Sequence, residues 1–166
     1  MRKIKFKLDN KQNIIDIYSN IRIKYEDLSI SSINGGGNCS FVAESGIEVS
    51  FDSETKRVGA LGGYIGELSR IKNIDFKLKD NYKTLILCVD DKLEYNPGVA
   101  YSFKFSNDVR YDKNRNTLLF GNYLSERELY QIFNNAFIQL NEENELTAII
   151  ITEINLNKEK DIDFNL

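Results

Sequence analysis

The chain has 166 residues, 42% of them apolar and 28% charged, which fits one folded domain with a sizeable core and excludes a disordered polymer. A formal net charge of −3 leaves no basic surplus for a phosphate backbone, and no apolar run reaches the roughly 20 residues that a membrane helix needs. Histidine is absent, so the commonest general base near neutral pH is missing; two cysteines are too few for a four-ligand zinc site. Neither nucleic acid nor a membrane is therefore expected as a partner, and no cofactor is expected.

The opening segment alternates, with Ile4, Phe6 and Leu8 on one face and Lys3, Lys5 and Lys7 on the other. That is the pattern of a half-buried edge strand, and the absence of a continuous apolar region here predicts a cytoplasmic chain. Ile14 to Tyr25 fits either a helical stripe or a strand, and its β-branched residues favour strands. Short strand patterns then recur between turn signals: Ile47 to Phe51, Arg57 to Leu61, Ile74 to Leu78, Thr84 to Val89, Val99 to Phe105 and Thr117 to Phe120. They predict an antiparallel meander. Ser125 and Glu128 form a capping box, and Leu129, Ile132, Phe133, Ala136, Phe137 and Leu140 form an apolar stripe, so an amphipathic helix is expected over about 126–140. Leu146 to Ile154 reads as a buried strand. The expected fold is α+β, an antiparallel sheet with that helix on one face and a C-terminal strand. A lone proline, Pro97, and no low-complexity stretch predict a single domain over 1–166, with a frayed polar tail at 157–166.

Two glycine-rich stretches invite a phosphate-loop reading. Gly59, Gly62, Gly63 and Gly66 do not match the G-x-G-x-x-G spacing, and the segment before them alternates like an antiparallel hairpin. They are expected instead to form a bulge and a sharp corner. In "INGGGNCS" no lysine follows at phosphate-loop spacing and no histidine exists to activate Cys39 or Ser40, which predicts a surface loop. Cys39 and Cys88 are expected to stay free thiols.

Acidic residues carry the remaining signals. "LILCVDD" ends an apolar strand on Asp90 and Asp91, as magnesium sites often do, and Glu94, Asp108 and Asp112 could join them if loops converge. This is the alternative of a metal-dependent enzyme acting on a phosphate ester or nucleotide; a solvated turn explains the same residues. A further alternative is a barrel-like small-ligand binder lined by the meander's aromatics. "VSFDSETKRV" at Val49 and "VRYDKNRNTL" at Val109 echo one another, each placing an Asp (Asp52, Asp112) after an aromatic and before a polar turn. Aspartate can bond the N–H groups that follow it and so open a hairpin. Residues 1–25 hold seven Lys/Arg against two Asp, and residues 126–166 hold nine Asp/Glu against three Lys/Arg. Such an imbalance suits a solvated face or an acidic surface for a basic protein partner.

"IEVSFDSETKRVGALGGYIGEL", Ile47 to Leu68, resembles a hairpin of small bacterial immunity proteins, which bind and neutralise the toxic domain of a secreted toxin. The shared part is an apolar-x-apolar-x-Phe-Asp strand, a turn with Thr, and a return strand running into glycines. The resemblance implies a cytoplasmic, single-domain, non-catalytic protein. The expected partner is a basic toxin domain, met by acids at Asp52, Glu54, Asp90, Asp91, Glu94, Asp108 and Asp112. Tyr64, Tyr95 and Tyr111 are the expected anchors.

Overall fold

A computed structural model describes residues 3–9, 18–24, 27–33, 36–67 and 71–154. Among these residues every regular element is a strand, and the α+β expectation is corrected to all-β. The strands are β1 (Phe6–Asp9), β2 (Tyr18–Lys24), β3 (Asp27–Ile33), β4 (Cys39–Val42), β5 (Ile47–Phe51), β6 (Val58–Glu67), β7 (Lys72–Asn73) and β8 (Lys83–Thr84). They continue with β9 (Ile86–Val89), β10 (Ala100–Ser102), β11 (Val109–Asp112), β12 (Thr117–Gly121), β13 (Tyr130–Phe133), β14 (Ala136–Leu140) and β15 (Leu146–Ile151). Three open sheets result: β1-β9, the six-stranded order β10-β4-β5-β6-β3-β2, and the seven-stranded order β7-β11-β12-β15-β14-β13-β8.

The expected helix is a hairpin. Phe133 faces Ala136 across a two-residue turn, Asn134-Asn135, and β14 continues antiparallel along β15. The apolar stripe misled because this sheet is buried on both faces. Leu118, Phe120, Ala136, Ile138, Ile149 and Ile151 join the core shared with the six-stranded sheet, whereas Leu119, Phe137, Ala148 and Ile150 join a second cluster behind it. With both faces apolar, a strand loses its period of two and can imitate a helix. Ser125 and Glu128 cap nothing. Ser125 lies in a turn, and Glu128 pairs with Lys83 at 2.7 Å and accepts from the Tyr130 hydroxyl at 2.5 Å.

Ile74 to Leu78 is not a strand. Ile74, Phe76 and Leu78 lie as irregular chain against the second cluster, covering the outer face of the seven-stranded sheet. Thr84 to Val89 divides, since Lys83–Thr84 pairs with β13 and Ile86–Val89 with β1. Nor is the arrangement a pure antiparallel meander: β10 runs parallel to β4, β7 to β11 and β8 to β13. Ile47–Phe51 does alternate as expected, with Ile47, Val49 and Phe51 buried. Each such side chain contributes about 1.5–3 kcal/mol by leaving water. Of the ambiguous segment, Tyr18–Lys24 is a strand, paired with β3. Ile14 to Ile17, Tyr25 and the tail 157–166 lie outside the described residues.

The Gly59–Gly66 stretch lies within β6, so no corner forms there. The register shifts opposite Gly59 and again between Tyr64 and Gly66, which makes it a doubly bulged strand. A Cβ at Gly63, where φ is 127°, would sit 1.9 Å from the Gly46 carbonyl oxygen. Gly59 and Gly63 serve close backbone approach, whereas Gly66 supplies a φ of 94° at the second bulge. Cys39 and Ser40 are likewise buried inside β4 and do not belong to a surface loop.

Candidate functional site

The small β1-β9 sheet links the two larger ones. Val89 N–H donates to the Lys56 carbonyl at 2.8 Å and Asp90 N–H to that of Lys5 at 2.8 Å; Phe6 N–H donates to Asn144 at 2.9 Å. These bonds set the 90–99 loop beside the β5-β6 turn. In that turn the Asp52 carboxylate accepts the Thr55 N–H at 2.7 Å, the Thr55 hydroxyl at 3.0 Å and the Glu54 N–H at 3.1 Å. The Thr55 bonds, chiefly the backbone one, hold its pKa below the ordinary value. Lys56, at φ 62°, closes the turn, and its ammonium donates to the Leu93 carbonyl and lies 4.3 Å from the centre of the Tyr95 ring.

Asn38 ties both segments further, accepting Ser53 N–H on its side chain at 2.8 Å and Gly98 N–H on its carbonyl at 2.5 Å. Asp91 accepts Leu93 N–H at 3.2 Å and the Tyr95 hydroxyl. Glu54, Asp90 and Glu94 are left exposed around this frame, together with Lys92, Leu93 and Val99. An acidic, apolar-tipped face results.

The other expected site residues are placed differently. Tyr95 is buried, packed edge-on against Phe51 and Tyr101 at 5.0 Å and against Phe41 at 5.5 Å, so it supports the loop from beneath. Tyr111 is buried, and its hydroxyl donates to the Asn116 side chain at 3.0 Å. Burial and the neighbouring Asp112 push its pKa up. Asp112 is fully buried: one oxygen accepts Asn114 N–H at 2.9 Å and Arg115 N–H at 3.1 Å, the other Phe76 N–H at 2.8 Å and the Arg115 guanidinium at 2.8 Å. Burial alone would raise its pKa; the bonds from Phe76, Arg115 and Asn114 outweigh that and hold it at about 2. Asp108 is exposed beside Arg110 at 3.1 Å, and Tyr64 is exposed on β6.

The strand-end carboxylates thus take the turn role, Asp91 satisfying its own loop and Asp90 standing in solvent. Among the described residues no three side chains of metal-ligating type converge. Among the same residues no helix is long and apolar enough to cross a membrane. Cys39 and Cys88 are buried free thiols; Cys39 donates to the Asn96 carbonyl at 3.1 Å, and burial raises the pKa of Cys88. Sequence reasoning missed Lys56, Asn38 and Leu93. The positive φ of Lys56 leaves no trace in a lysine codon position, and the Asn38 contacts join segments far apart in the chain. A scan against protein-family models and a comparison with curated proteins both give no match.

Proposed function

We propose that this chain is a non-catalytic cytoplasmic binding protein that neutralises a basic toxin domain stoichiometrically, as bacterial immunity proteins do. The observation that carries this reading is the acidic face built on the 52–57 turn and the 90–99 loop. Glu54, Asp90 and Glu94 stand exposed there against one exposed cation, Lys92, and Leu93, between Lys92 and Glu94, is 43% exposed. The frame beneath is pre-ordered by Lys56, Asn38 and Tyr95, so little conformational entropy is lost on binding. Acids at the rim would steer a basic partner, and the apolar tip would slow its release. Tyr95, Tyr111 and Asp112, being buried, belong to the scaffold of this reading; the contact residues are Glu54, Asp90, Leu93 and Glu94.

Co-expression with the toxic domain encoded beside it tests the proposal. Growth rescue and co-purification are expected. The triple reversal Glu54→Lys, Asp90→Lys, Glu94→Lys should slow association about tenfold or more at low salt. An unchanged on-rate discards this face, and failure of the wild type to bind any neighbouring gene product discards the immunity reading.

A further inference from the structure

A cleft elsewhere on the molecule has the opposite character to the acidic face. It has a volume of about 440 Å³ and opens where the approach to β1, the chain after β10, the loop after β12 and the β14-β15 hairpin meet. Its volume lies in the range of small-molecule sites, about 300–1,000 Å³. Its lining includes three cations, Lys3, Lys104 and Arg127, and one acid, Glu145, on a chain whose net charge is −3.

The acid is already satisfied. Glu145 accepts the Asn141 side-chain amide at 3.0 Å and the Lys3 ammonium at 3.1 Å, and these bonds hold its pKa below the ordinary value. Lys104 and Arg127 have no side-chain partner among the described residues. Two uncompensated positive charges therefore border one cleft.

The loop carrying Arg127 is fixed from below. Gln139, fully buried in β14, accepts Leu124 N–H at 2.9 Å and donates to the carbonyls of Leu124 at 2.8 Å and Arg127 at 3.2 Å. The backbone is anchored while the guanidinium remains unengaged. Ser106, Asn122, Asn141 and Thr147 add neutral polar groups, and the apolar part of the lining is one cluster: Phe105 stacks on Phe103 with centroids 5.9 Å apart, and Ile4 and Leu146 complete it.

We propose that this cleft binds a small amphipathic anion, with its carboxylate or phosphate head between Lys104 and Arg127 and its apolar body on Phe105, Ile4 and Leu146. A charged head accepts from both cations, and an apolar body removes the aromatic wall from water; a ligand with only one half forgoes the other gain. The site is separate from the acidic face in charge and in residues, so each proposal stands or falls alone.

The test is calorimetric titration of the full chain with decanoate, decyl phosphate, decanol and inorganic phosphate, below micellar concentrations. Saturable one-to-one binding of decanoate or decyl phosphate is expected, the tighter of the two identifying the head group. Decanol and inorganic phosphate should bind at least tenfold more weakly. The double variant Lys104→Ser, Arg127→Gln should lose about tenfold or more in affinity, since both charge-assisted bonds to the head group are removed. Its melting temperature should hold, because neither side chain is bonded among the described residues; if it melts lower, Lys104→Glu at the exposed position supplies the same readout. No saturable binding of either amphiphile, decanol binding as tightly as decanoate, or affinity undiminished in the variants would overturn the proposal.

Discussion

The β5-β6 and β11-β12 hairpins use one turn chemistry for two purposes. In each, an aspartate carboxylate accepts the N–H groups two and three residues on, from Glu54 and Thr55 in one and Asn114 and Arg115 in the other. In each, the residue after those takes a left-handed conformation, Lys56 at φ 62° and Asn116 at φ 48°. The difference is burial. Asp52 is partly exposed at the edge of the acidic face, whereas Asp112 is sealed beneath the 74–78 segment and also accepts Phe76 N–H and the Arg115 guanidinium. The same local motif is a presentation device where water reaches it and a clamp between segments where water does not.

Removing the buried carboxylate should break the comparison most widely. Asp112→Ala leaves the Phe76, Asn114 and Arg115 N–H groups unmet and the guanidinium without one of its partners, at a cost of about 3 kcal/mol in urea unfolding. A loss no larger than that of Asp52→Ala would mean that the clamp adds nothing to the turn.

Acid does the same by degrees. Because folding lowers the Asp112 pKa from 3.8 to about 2, its contribution is complete above about pH 4 and is lost as pH falls toward 2. Asp52 shifts in the same direction, so it adds to the same acid limb. Stability measured from pH 5 to pH 2 should fall less steeply in Asp112→Asn than in the wild type.

Two smaller substitutions sharpen the contrast. Tyr111→Phe removes the hydroxyl that bonds Asn116 across the buried turn, and should cost about 1 kcal/mol with the fold intact. Asp52→Ala removes three bonds that water can replace, so its melting temperature should drop by only about 2 °C. Its effect should appear instead in the 52–57 turn, as faster amide exchange at Glu54 and Thr55.

Residues whose neighbours in sequence are also their neighbours in space were readable in advance. Ile47, Val49 and Phe51 alternate because one face of β5 is buried, and Asp52 and Asp112 open hairpins because a carboxylate reaches its own following amides. The Leu129 to Leu140 stripe carried the wrong period because both faces of its sheet are covered, and the cover for Leu119, Phe137 and Ile150 comes in part from Ile74, Phe76 and Leu78, over forty residues away. Of the expected contact residues, Glu54, Asp90 and Glu94 are exposed, while Tyr95, Tyr111 and Asp112 are buried.

By itself, then, the order of amino acids determined the β-rich local pattern, both aspartate turns and the acid-bearing loops. Only the tertiary structure decided between strand and helix at 126–140, between clamp and display for the two turns, and where uncompensated cations would meet. Period and turn chemistry act over a few residues, whereas burial and charge pairing depend on segments that the chain brings together only when it folds.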